Sequence, residues 1–431
     1  MTYQEAIEFL YGLRLFGAKF GLENTLKLAA LAGNPQARLR FIHVAGTNGK
    51  GSTCAMLESI YRNSGLRVGL FTSPHLVSFA ERIQVNRRMI SESDVVRLVG
   101  EIQPMLKQFP TDGHPTFFEV VVVMALRFFA EQKCDLVIWE TGLGGRLDAT
   151  NIVTPLASVI TNIQFDHERW LGHTLANIAS EKAGIIKPGV PAITGATEPE
   201  ALAVIQEVAR RKQSPLTLVT PDHTRHAPLD AIDLPLLGWH QRLNAAAALS
   251  TVQTLQAMLP VTERQIRDGL SRVQWPGRMQ LVKLSNEQRV LLDGAHNPGG
   301  AATLRAALAE HFPNSRPAFI LGILEDKDWH LMCDIVAPVA ERLIVVRVTS
   351  ERALEADMLA GACRKANPAA RVQTCTSLAE ALRAVCGEPF VVIAGSLYLI
   401  GEAMEQLHLA ATPHGDEKGL NEWGSTHQPL R

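Results

Sequence analysis

A glycine-rich segment with one lysine and two hydroxyl side chains carries the clearest chemistry in the sequence. It reads G-T-N-G-K-G-S-T over residues 46–53 and follows an apolar run at residues 41–44. Glycines let backbone N–H groups approach phosphate oxygens, the lysine adds positive charge, and a following helix directs its positive end at the anion. The segment therefore predicts a loop for the phosphates of ATP, formed by Asn48, Gly49, Lys50, Gly51, Ser52 and Thr53.

The spacing of this segment differs from the common Walker A form, because Gly51 separates Lys50 from Ser52. The alternative interpretation is a plain glycine turn between a strand and a helix, with an incidental lysine. That alternative requires a strand, glycines, a lysine, hydroxyls and a helix to coincide by chance, so we favour the phosphate loop.

Composition narrows the class of protein. A chain of 431 residues, 46% of them hydrophobic, is long enough for two domains. Lys and Arg total 42 against 43 for Asp and Glu, a balance that attracts neither nucleic acid nor an anionic membrane. The chain shows no leader-like start, no apolar run of the ~20 residues that a membrane span needs, and no C-x-x-C pair. We expect a soluble, cytoplasmic monomer with reduced thiols.

Short apolar runs alternate with helical stretches along most of the chain, a pattern typical of α/β folds with parallel sheets. In the first part, strands are predicted at residues 41–44, 68–71, 136–139, 157–160 and 192–194. A Pro-Gly pair at 276–277 marks a boundary, after which a second series begins. We predict a parallel-sheet ATPase domain of the P-loop type at 1–277, a smaller Rossmann-like domain at 278–410, and a disordered tail at 411–431.

Polar residues directly follow several predicted strands, and the carboxyl ends of parallel strands are where ligands gather. Glu140 ends one strand and is the best carboxylate ligand for the Mg²⁺ that a triphosphate requires. His167 follows another strand, where a histidine is more often a loop residue that makes hydrogen bonds than a metal ligand. Ser73 precedes Pro74 and also fits a simple turn.

The phosphate loop with its inserted glycine resembles that of the Mur ligase superfamily, in particular its folylpolyglutamate synthase and dihydrofolate synthase branch. The resemblance extends over most of the chain, in the order of the family's motifs. The further matching motifs are F-T-S-P-H-L at 71–76, E-T-G-L-G-G-R-L-D-A-T-N at 140–151, D-H at 166–167, E-K-A-G-I-I-K at 181–187, H-Q-R-L-N at 240–244, W-P-G-R at 275–278, D-G-A-H-N-P at 293–298 and G-S-L-Y at 395–398.

The resemblance implies a metal site with four protein ligands. By the family's pattern these are Ser73, Glu140, His167 and Lys182, with Lys182 carbamylated so that it binds a second Mg²⁺. The residues alone also allow a plainer role for Lys182, as a positive charge near the end of a helix that Gly184 closes in the left-handed conformation.

The same resemblance assigns nucleotide and substrate contacts. ATP would be held from the second domain and its linker by Asn244, Arg278, Asp293 and His296, in a cleft between the domains; Lys50, Lys182 and His296 would take part in catalysis. The pterin-bearing acceptor would contact Thr116, Phe117, Phe118, Leu147, Asp148 and Ala149, and Ser396 would lie near the glutamate. Phe117 and Phe118 are equally explained as core residues of a helix.

The resemblance implies ATP-dependent addition of L-glutamate to a folate, with dihydropteroate as a second possible acceptor, through an acyl phosphate. Two other functions stay open at this point. One is a Mur-type ligase acting on a cell-wall precursor, which Gly51 and the motif at 140–151 disfavour. The other is a nucleotide-binding switch, which would hydrolyse ATP slowly without an amino acid.

Overall fold

A computed structural model describes residues 1–17, 21–410 and 417–422 of the chain. They form two compact units. Of the described residues, unit 1 takes those within Met1–Pro235, Arg242–Val273 and His414–Arg431, and unit 2 takes those within Leu236–Gln241 and Gln274–Pro413. The main segment of unit 2 thus begins at Gln274, close to the Pro-Gly pair at which the sequence placed the domain boundary.

Unit 1 is built on an eight-stranded sheet with the order β4-β3-β2-β5-β1-β6-β7-β8. Its strands are Phe41–Ala45 (β1), Val68–Phe71 (β2), Ile83–Val85 (β3), Arg88–Met89 (β4), Leu136–Glu140 (β5), Ala157–Ile160 (β6), Ala192–Thr194 (β7) and Leu216–Leu218 (β8). Six neighbouring strands, β2-β5-β1-β6-β7-β8, pair in parallel. Beside β2, the strands β3 and β4 add an antiparallel hairpin at one edge of the sheet.

The central strands of this sheet are buried along their whole length. Every residue of β1, β2, β5 and β6 is buried, so helices must cover both faces, as the unbroken apolar runs predicted. The helices of unit 1 are Tyr3–Gly12 (α1), Glu23–Leu31 (α2), Lys50–Asn63 (α3), Glu92–Leu106 (α4), Phe117–Glu131 (α5), Glu168–Leu171 (α6), Leu175–Ala183 (α7), Pro199–Arg211 (α8), Trp239–Thr254 (α9, whose first residues group with unit 2) and Glu263–Ser271 (α10).

The strand order reverses direction at β1, which lies between β5 and β6. From β1 the chain passes through α3 to β2, on the far side of β5, and later returns to β6 on the other side. Ligands of open α/β sheets bind at such a reversal, outside the carboxyl ends of the strands. The register pairs Val44 with Glu140 and Ala45 with Ile160. The loops that follow β1, β5 and β6 therefore all begin at the carboxyl ends of these neighbouring strands.

Unit 2 has a six-stranded sheet with the order β13-β12-β11-β14-β10-β9, parallel except for β9. Its strands are Gln280–Lys283 (β9), Arg289–Asp293 (β10), Ala318–Leu321 (β11), Arg342–Val346 (β12), Arg371–Cys375 (β13) and Phe390–Ala394 (β14). Its helices are Pro298–His311 (α11), Trp329–Val336 (α12), Ala356–Ala366 (α13), Leu378–Ala384 (α14) and Leu397–Gln406 (α15). The α/β fold expected for both parts of the chain is confirmed.

The C-terminal tail differs from expectation in the part that the structure describes. Residues 417–422 are ordered, with a 3₁₀ helix at Lys418–Asn421, and Leu420 lies in the hydrophobic core of unit 1. The remainder of the predicted disordered tail, 411–416 and 423–431, lies outside the described residues. Within the described ranges, none of the helices combines the length and the apolar character that crossing a membrane requires.

Candidate active site

The glycine-rich loop joins β1 to α3 at the reversal of the strand order. Gly46 and Gly49 have φ values of 146° and 84°, which side-chain-bearing residues rarely adopt, and Gly49 is the N-terminal cap of α3. A Cβ on Gly46 would stand 1.9 Å from Thr161 Oγ1, and one on Gly49 would stand 2.4 Å from Asn244 Oδ1. Both positions therefore require glycine. Gly49, as the N-cap, has no side chain to bond the first amides of α3, a helix start suited to binding an anion.

The loop is anchored by polar residues that follow β6. Asn162 Oδ1 accepts a hydrogen bond from Asn48 N at 2.7 Å, and Gln164 Oε1 accepts one from Asn48 Nδ2 at 2.8 Å. Thr161 Oγ1 donates to Asn48 O at 2.6 Å. Thr161, Asn162 and Gln164 were not among the predicted site residues. Their position at the carboxyl end of a strand beside β1 was the available signal.

Two lysines converge on one carbonyl oxygen of this loop. Lys50 Nζ donates to Gly46 O at 3.1 Å, and Lys182 Nζ, from α7, donates to the same oxygen at 2.9 Å. Lys182 is 4% exposed. Burial and, after it, the charge of Lys50 lower the pKa of its amine from 10.5 to about 7, although Asp166 and Asp148 partly oppose the change.

This placement does not fit the plainer role considered for Lys182. Its amine lies inside the phosphate loop, and Gly184 after α7 has φ −61°, a right-handed rather than a left-handed conformation. A Cβ on Gly184 would meet the Arg146 side chain at 2.3 Å, so glycine is required there by close packing. The helix ends without the αL cap that the sequence suggested.

Glu140 ends β5 and is almost fully buried. Its Oε2 accepts a hydrogen bond from Ser73 N at 3.1 Å, so the loop after β2 and the end of β5 meet directly. Ser73 Oγ and Thr53 Oγ1, from the first turn of α3, are both buried and have no hydrogen-bond partner among the described residues. Buried hydroxyls normally find partners. Two without any among the described residues, one after β2 and one in the first turn of the helix after β1, suit oxygen ligation of a cation together with the buried carboxylate at the end of β5.

His167 lies beyond β6 at the start of α6, with φ 53°. Its backbone N donates to Asp166 Oδ1 at 2.9 Å, and its Nε2 lies 3.8 Å from Asp166 Oδ2. Nowhere in the described ranges do three or more His, Cys, Asp or Glu side chains gather in a group that would hold a metal ion. Of the four predicted ligands, the structure thus brings Ser73 and Glu140 into contact, and the set as a whole stays a prediction.

The residues predicted to contact the acceptor differ in their accessibility. Thr116 caps α5 and shares a capping box with Glu119. Phe117 is buried in the core of unit 1, as the alternative interpretation expected, whereas Phe118 is only partly buried. A Cβ on Gly142 would stand 2.5 Å from Phe118 Cζ, so the ring of Phe118 lies over the glycine-rich turn after β5.

Asp148 braces this same turn. Its Oδ2 accepts from Leu143 N at 2.7 Å, and its Oδ1 accepts from Thr150 N at 3.0 Å. Burial raises the pKa of the Asp148 carboxyl, and these hydrogen bonds partly oppose that rise. Its neighbours Leu147 and Ala149 are half-buried and buried. Asp148 therefore stabilises the backbone of the turn after β5.

In unit 2, three predicted residues gather at the carboxyl end of β10. Asp293 Oδ2 accepts from Met279 N at 2.8 Å, and the ring Nδ1 of His296 lies 2.8 Å from Gly294 O. Burial raises the pKa of Asp293, and Arg278 is the first of the groups that oppose this. Arg278 lies over Gly294, where a Cβ would stand 1.9 Å from its Nη1.

Two further predicted residues lie elsewhere. Ser396 caps α15 through a hydrogen bond that its Oγ accepts from Tyr398 N at 3.1 Å. Asn244, which was grouped with the ATP contacts of the second domain and its linker, belongs to unit 1 and lies beside Gly49 of the phosphate loop.

Comparison with known proteins identifies the family of this chain. Residues 44–252 match the Mur ligase middle domain, and residues 277–397 match the Mur ligase glutamate ligase domain. The dihydrofolate synthase/folylpolyglutamate synthase of Bacillus subtilis is 36% identical over 94% of this chain and 99% of its own length.

Solved structures agree. The folylpolyglutamate synthase of Thermotoga maritima is 35% identical, with a TM-score of 0.81 over 95% of this chain and 98% of that one. Escherichia coli FolC in complex with DHPP and ADP is 32% identical, with a TM-score of 0.83 over 95% and 98% of the two chains. The chain therefore belongs to the folylpolyglutamate synthase and dihydrofolate synthase family of the Mur ligases.

Proposed function

We propose that the protein is an ATP-dependent ligase that joins L-glutamate to the carboxylate of a folate, and that dihydropteroate is a second acceptor. The observation that carries this proposal is the phosphate loop, where Lys50 and Lys182 converge on Gly46 O, and which follows a strand paired with the one that ends at the buried Glu140. Relatives named for both activities, and a structural neighbour solved with DHPP and ADP, support the two acceptors.

The reaction needs two steps that the site can assist with charge and position. An oxygen of the acceptor carboxylate attacks the γ-phosphorus of ATP, and ADP leaves. The glutamate nitrogen then attacks the acyl carbon, phosphate leaves, and the nitrogen loses a proton to give the amide. Two anions meet in the first step, so the positive charge of Lys50 and the amides at the start of α3 would lower the barrier by stabilising charge.

The chain offers fitting ligands for Mg²⁺. Ser73 Oγ and Thr53 Oγ1 lack partners among the described residues, and Glu140 supplies a buried carboxylate. We propose that these groups, with His167, hold the cation. When bound, Mg²⁺ would neutralise phosphate charge that the protein's own lysines leave uncompensated.

We further propose that Lys182 is carbamylated and holds a second Mg²⁺. Carbamate forms when an uncharged amine attacks carbon dioxide and releases a proton. A pKa of about 7 leaves a large fraction of the Lys182 amine uncharged at neutral pH, where an ordinary lysine has almost none. Intact-protein mass spectrometry under bicarbonate should detect the added carbamate. Lys182→Ala activity should recover partly with acetate; full activity without it would exclude this role.

Two alternatives considered for the sequence are not supported. The similar proteins carry folate ligase names rather than those of cell-wall ligases, and they are enzymes rather than switches. The roles expected of Arg278, Asp293, His296 and Ser396 in unit 2, and a monomeric state, stay predictions.

An omission assay tests the proposed function. Purified protein with ATP and Mg²⁺ should release phosphate only when both glutamate and a folate or dihydropteroate are present. Each component is left out in turn, and the pterin product is checked by mass for one added glutamyl group. Phosphate release that is equally fast without glutamate or acceptor would contradict a ligase and favour a plain nucleotide hydrolase.

A further inference from the structure

The C-terminal residues 417–422, which we call the C-terminal clip, return to unit 1 and bury most of their side chains there. Glu417 and Leu420 are each 1% exposed. Leu420 joins the hydrophobic core of unit 1, and the Arg14 side chain donates from Nε to Glu422 O at 3.1 Å. A short polar segment with this degree of burial must be held by specific partners, because its ordering costs conformational entropy.

The carboxylate of Glu417 is the first anchor. Its Oε2 accepts hydrogen bonds from Ser78 Oγ at 2.9 Å and from Phe79 N at 2.5 Å, and its Oε1 accepts one from Tyr3 OH at 3.0 Å. Ser78 and Phe79 belong to the loop that follows β2. The carboxylate thereby supplies the acceptor for a buried backbone amide of that loop.

His75 and Arg82 of the same loop form the second anchor. Arginine can only donate, and Arg82 Nε donates to His75 Nδ1 at 2.8 Å, so the proton of the His75 ring is on Nε2. That Nε2–H then donates to Glu417 O at 2.8 Å. Asn421 completes the network, because its Oδ1 accepts from Arg82 Nη2 and its Nδ2 donates to His75 O at 3.0 Å.

The loop held in this way leads to the candidate site through Ser73, and its other end packs on the core residue Phe117. Thr72 N donates to Arg82 O at 3.1 Å and closes the Thr72–Arg82 loop. Next to Thr72, Ser73 donates from its backbone to Glu140, and its side-chain oxygen has no partner among the described residues. At the other end, the Arg82 guanidinium lies 5.4 Å from the centre of the Phe117 ring, the neighbour of Phe118.

We infer that the C-terminal clip is a positioning element of the active site, in which Glu417 and Asn421 hold the Thr72–Arg82 loop so that Ser73 faces Glu140. This inference rests on the proposed function for its consequence in catalysis. Without the clip, His75 Nε2, Phe79 N and the Arg82 guanidinium would each lose a buried partner, and the loop would sample other conformations.

The test compares Glu417→Ala and Asn421→Ala with Glu417→Gln in the full-length chain. Glutamine keeps the shape and one acceptor oxygen, so it should restore most of the wild-type behaviour. Val252→Ala, a buried truncation in α9, serves as the control for a general loss of stability.

Amide hydrogen exchange is the first measurement, because it does not depend on activity. Both alanine variants should speed exchange in the peptide that covers residues 72–82 and leave the peptide covering 44–53 unchanged. Val252→Ala should not produce this difference. Unchanged exchange at 72–82 in both alanine variants would overturn the inference.

Steady-state kinetics is the second measurement. Glu417→Ala loses three side-chain hydrogen bonds and Asn421→Ala loses two. Either loss should raise the acceptor KM and the half-saturating Mg²⁺ concentration by about five-fold or more, with a much smaller change in the ATP KM. Equal changes in Val252→Ala would refute a positioning role. If the wild-type protein forms no glutamyl product, the proposed function fails, whereas hydrogen exchange still decides the role of the clip.

Discussion

Replacing Lys182 with methionine should abolish ligation yet make the protein more stable at neutral pH. The methionine side chain has a similar length and no charge to bury. The difference between the ordinary pKa of 10.5 and about 7 corresponds to about 5 kcal/mol of unfavourable free energy at pH 7. Methionine also loses the hydrogen bond to Gly46 O, and this loss offsets about 1–3 kcal/mol of the stability that is gained. We therefore expect a gain of roughly 3 kcal/mol in the free energy of unfolding.

The gain should depend on pH with a defined sign. The pKa of Lys182 is lower in the folded protein than in the unfolded chain, so between pH 7 and 10.5 the unfolded chain binds more protons. Wild-type stability should therefore rise with pH over this window. The free-energy cost of burying the charged Lys182 amine is fully present below pH 7 and is absent above pH 10.5, where the amine is uncharged in both states. The advantage of Lys182→Met should accordingly shrink as the pH rises from 7 towards 10.

Urea unfolding at pH 7 and pH 9.5 measures this directly, in buffer depleted of carbon dioxide so that the amine stays unmodified. Lys212→Met is the matched control, because Lys212 is exposed at the end of α8 and should show no comparable gain. A Lys182→Met protein that is less stable than wild type at pH 7, or whose stability difference is the same at both pH values, would refute the reasoning.

Three further variants separate chemistry from structure. Lys50→Ala should fold normally but lower kcat by about 100-fold or more, because the loop loses its fixed charge; near-normal turnover at saturating ATP would contradict this. Glu140→Gln should lose activity at low Mg²⁺ and recover part of it at high Mg²⁺, and equal loss throughout would indicate a structural role. Asp148→Asn should lower the free energy of unfolding by about 1–3 kcal/mol in urea titrations, because its amide nitrogen replaces one accepting oxygen and leaves either Leu143 N or Thr150 N without its acceptor; an unchanged unfolding midpoint would contradict the bracing role.

Sequence pattern identified the central strands because they are apolar at every position. The edge strands were harder to recognise. In β9 and β13, exposed residues alternate with partly buried ones, and β4 is only two residues long. These strands therefore lack a clear run of apolar residues. The antiparallel hairpin at one edge of unit 1 was missed for that reason.

The candidate site was predictable where backbone chemistry dictates residue type, as at Gly46 and Gly49. Positions that depend on distant packing were not. The helical pattern around Lys182 does not indicate that its amine contacts the phosphate loop. The polar composition of residues 417–422 is typical of disordered segments, yet the structure shows a 3₁₀ helix there. Their order comes from buried partners, His75 and Arg82, that lie far away in sequence.

Transfer of oxygen from the acceptor to phosphate tests the central claim most directly. The acceptor is supplied with heavy oxygen in its reacting carboxylate, together with ATP, Mg²⁺, glutamate and the wild-type protein. If the carboxylate attacks the γ-phosphorus, each glutamyl product should be accompanied by one inorganic phosphate carrying one heavy oxygen atom. Product formed with unlabelled phosphate, or phosphate released without any glutamyl product, would contradict ligation through an acyl phosphate.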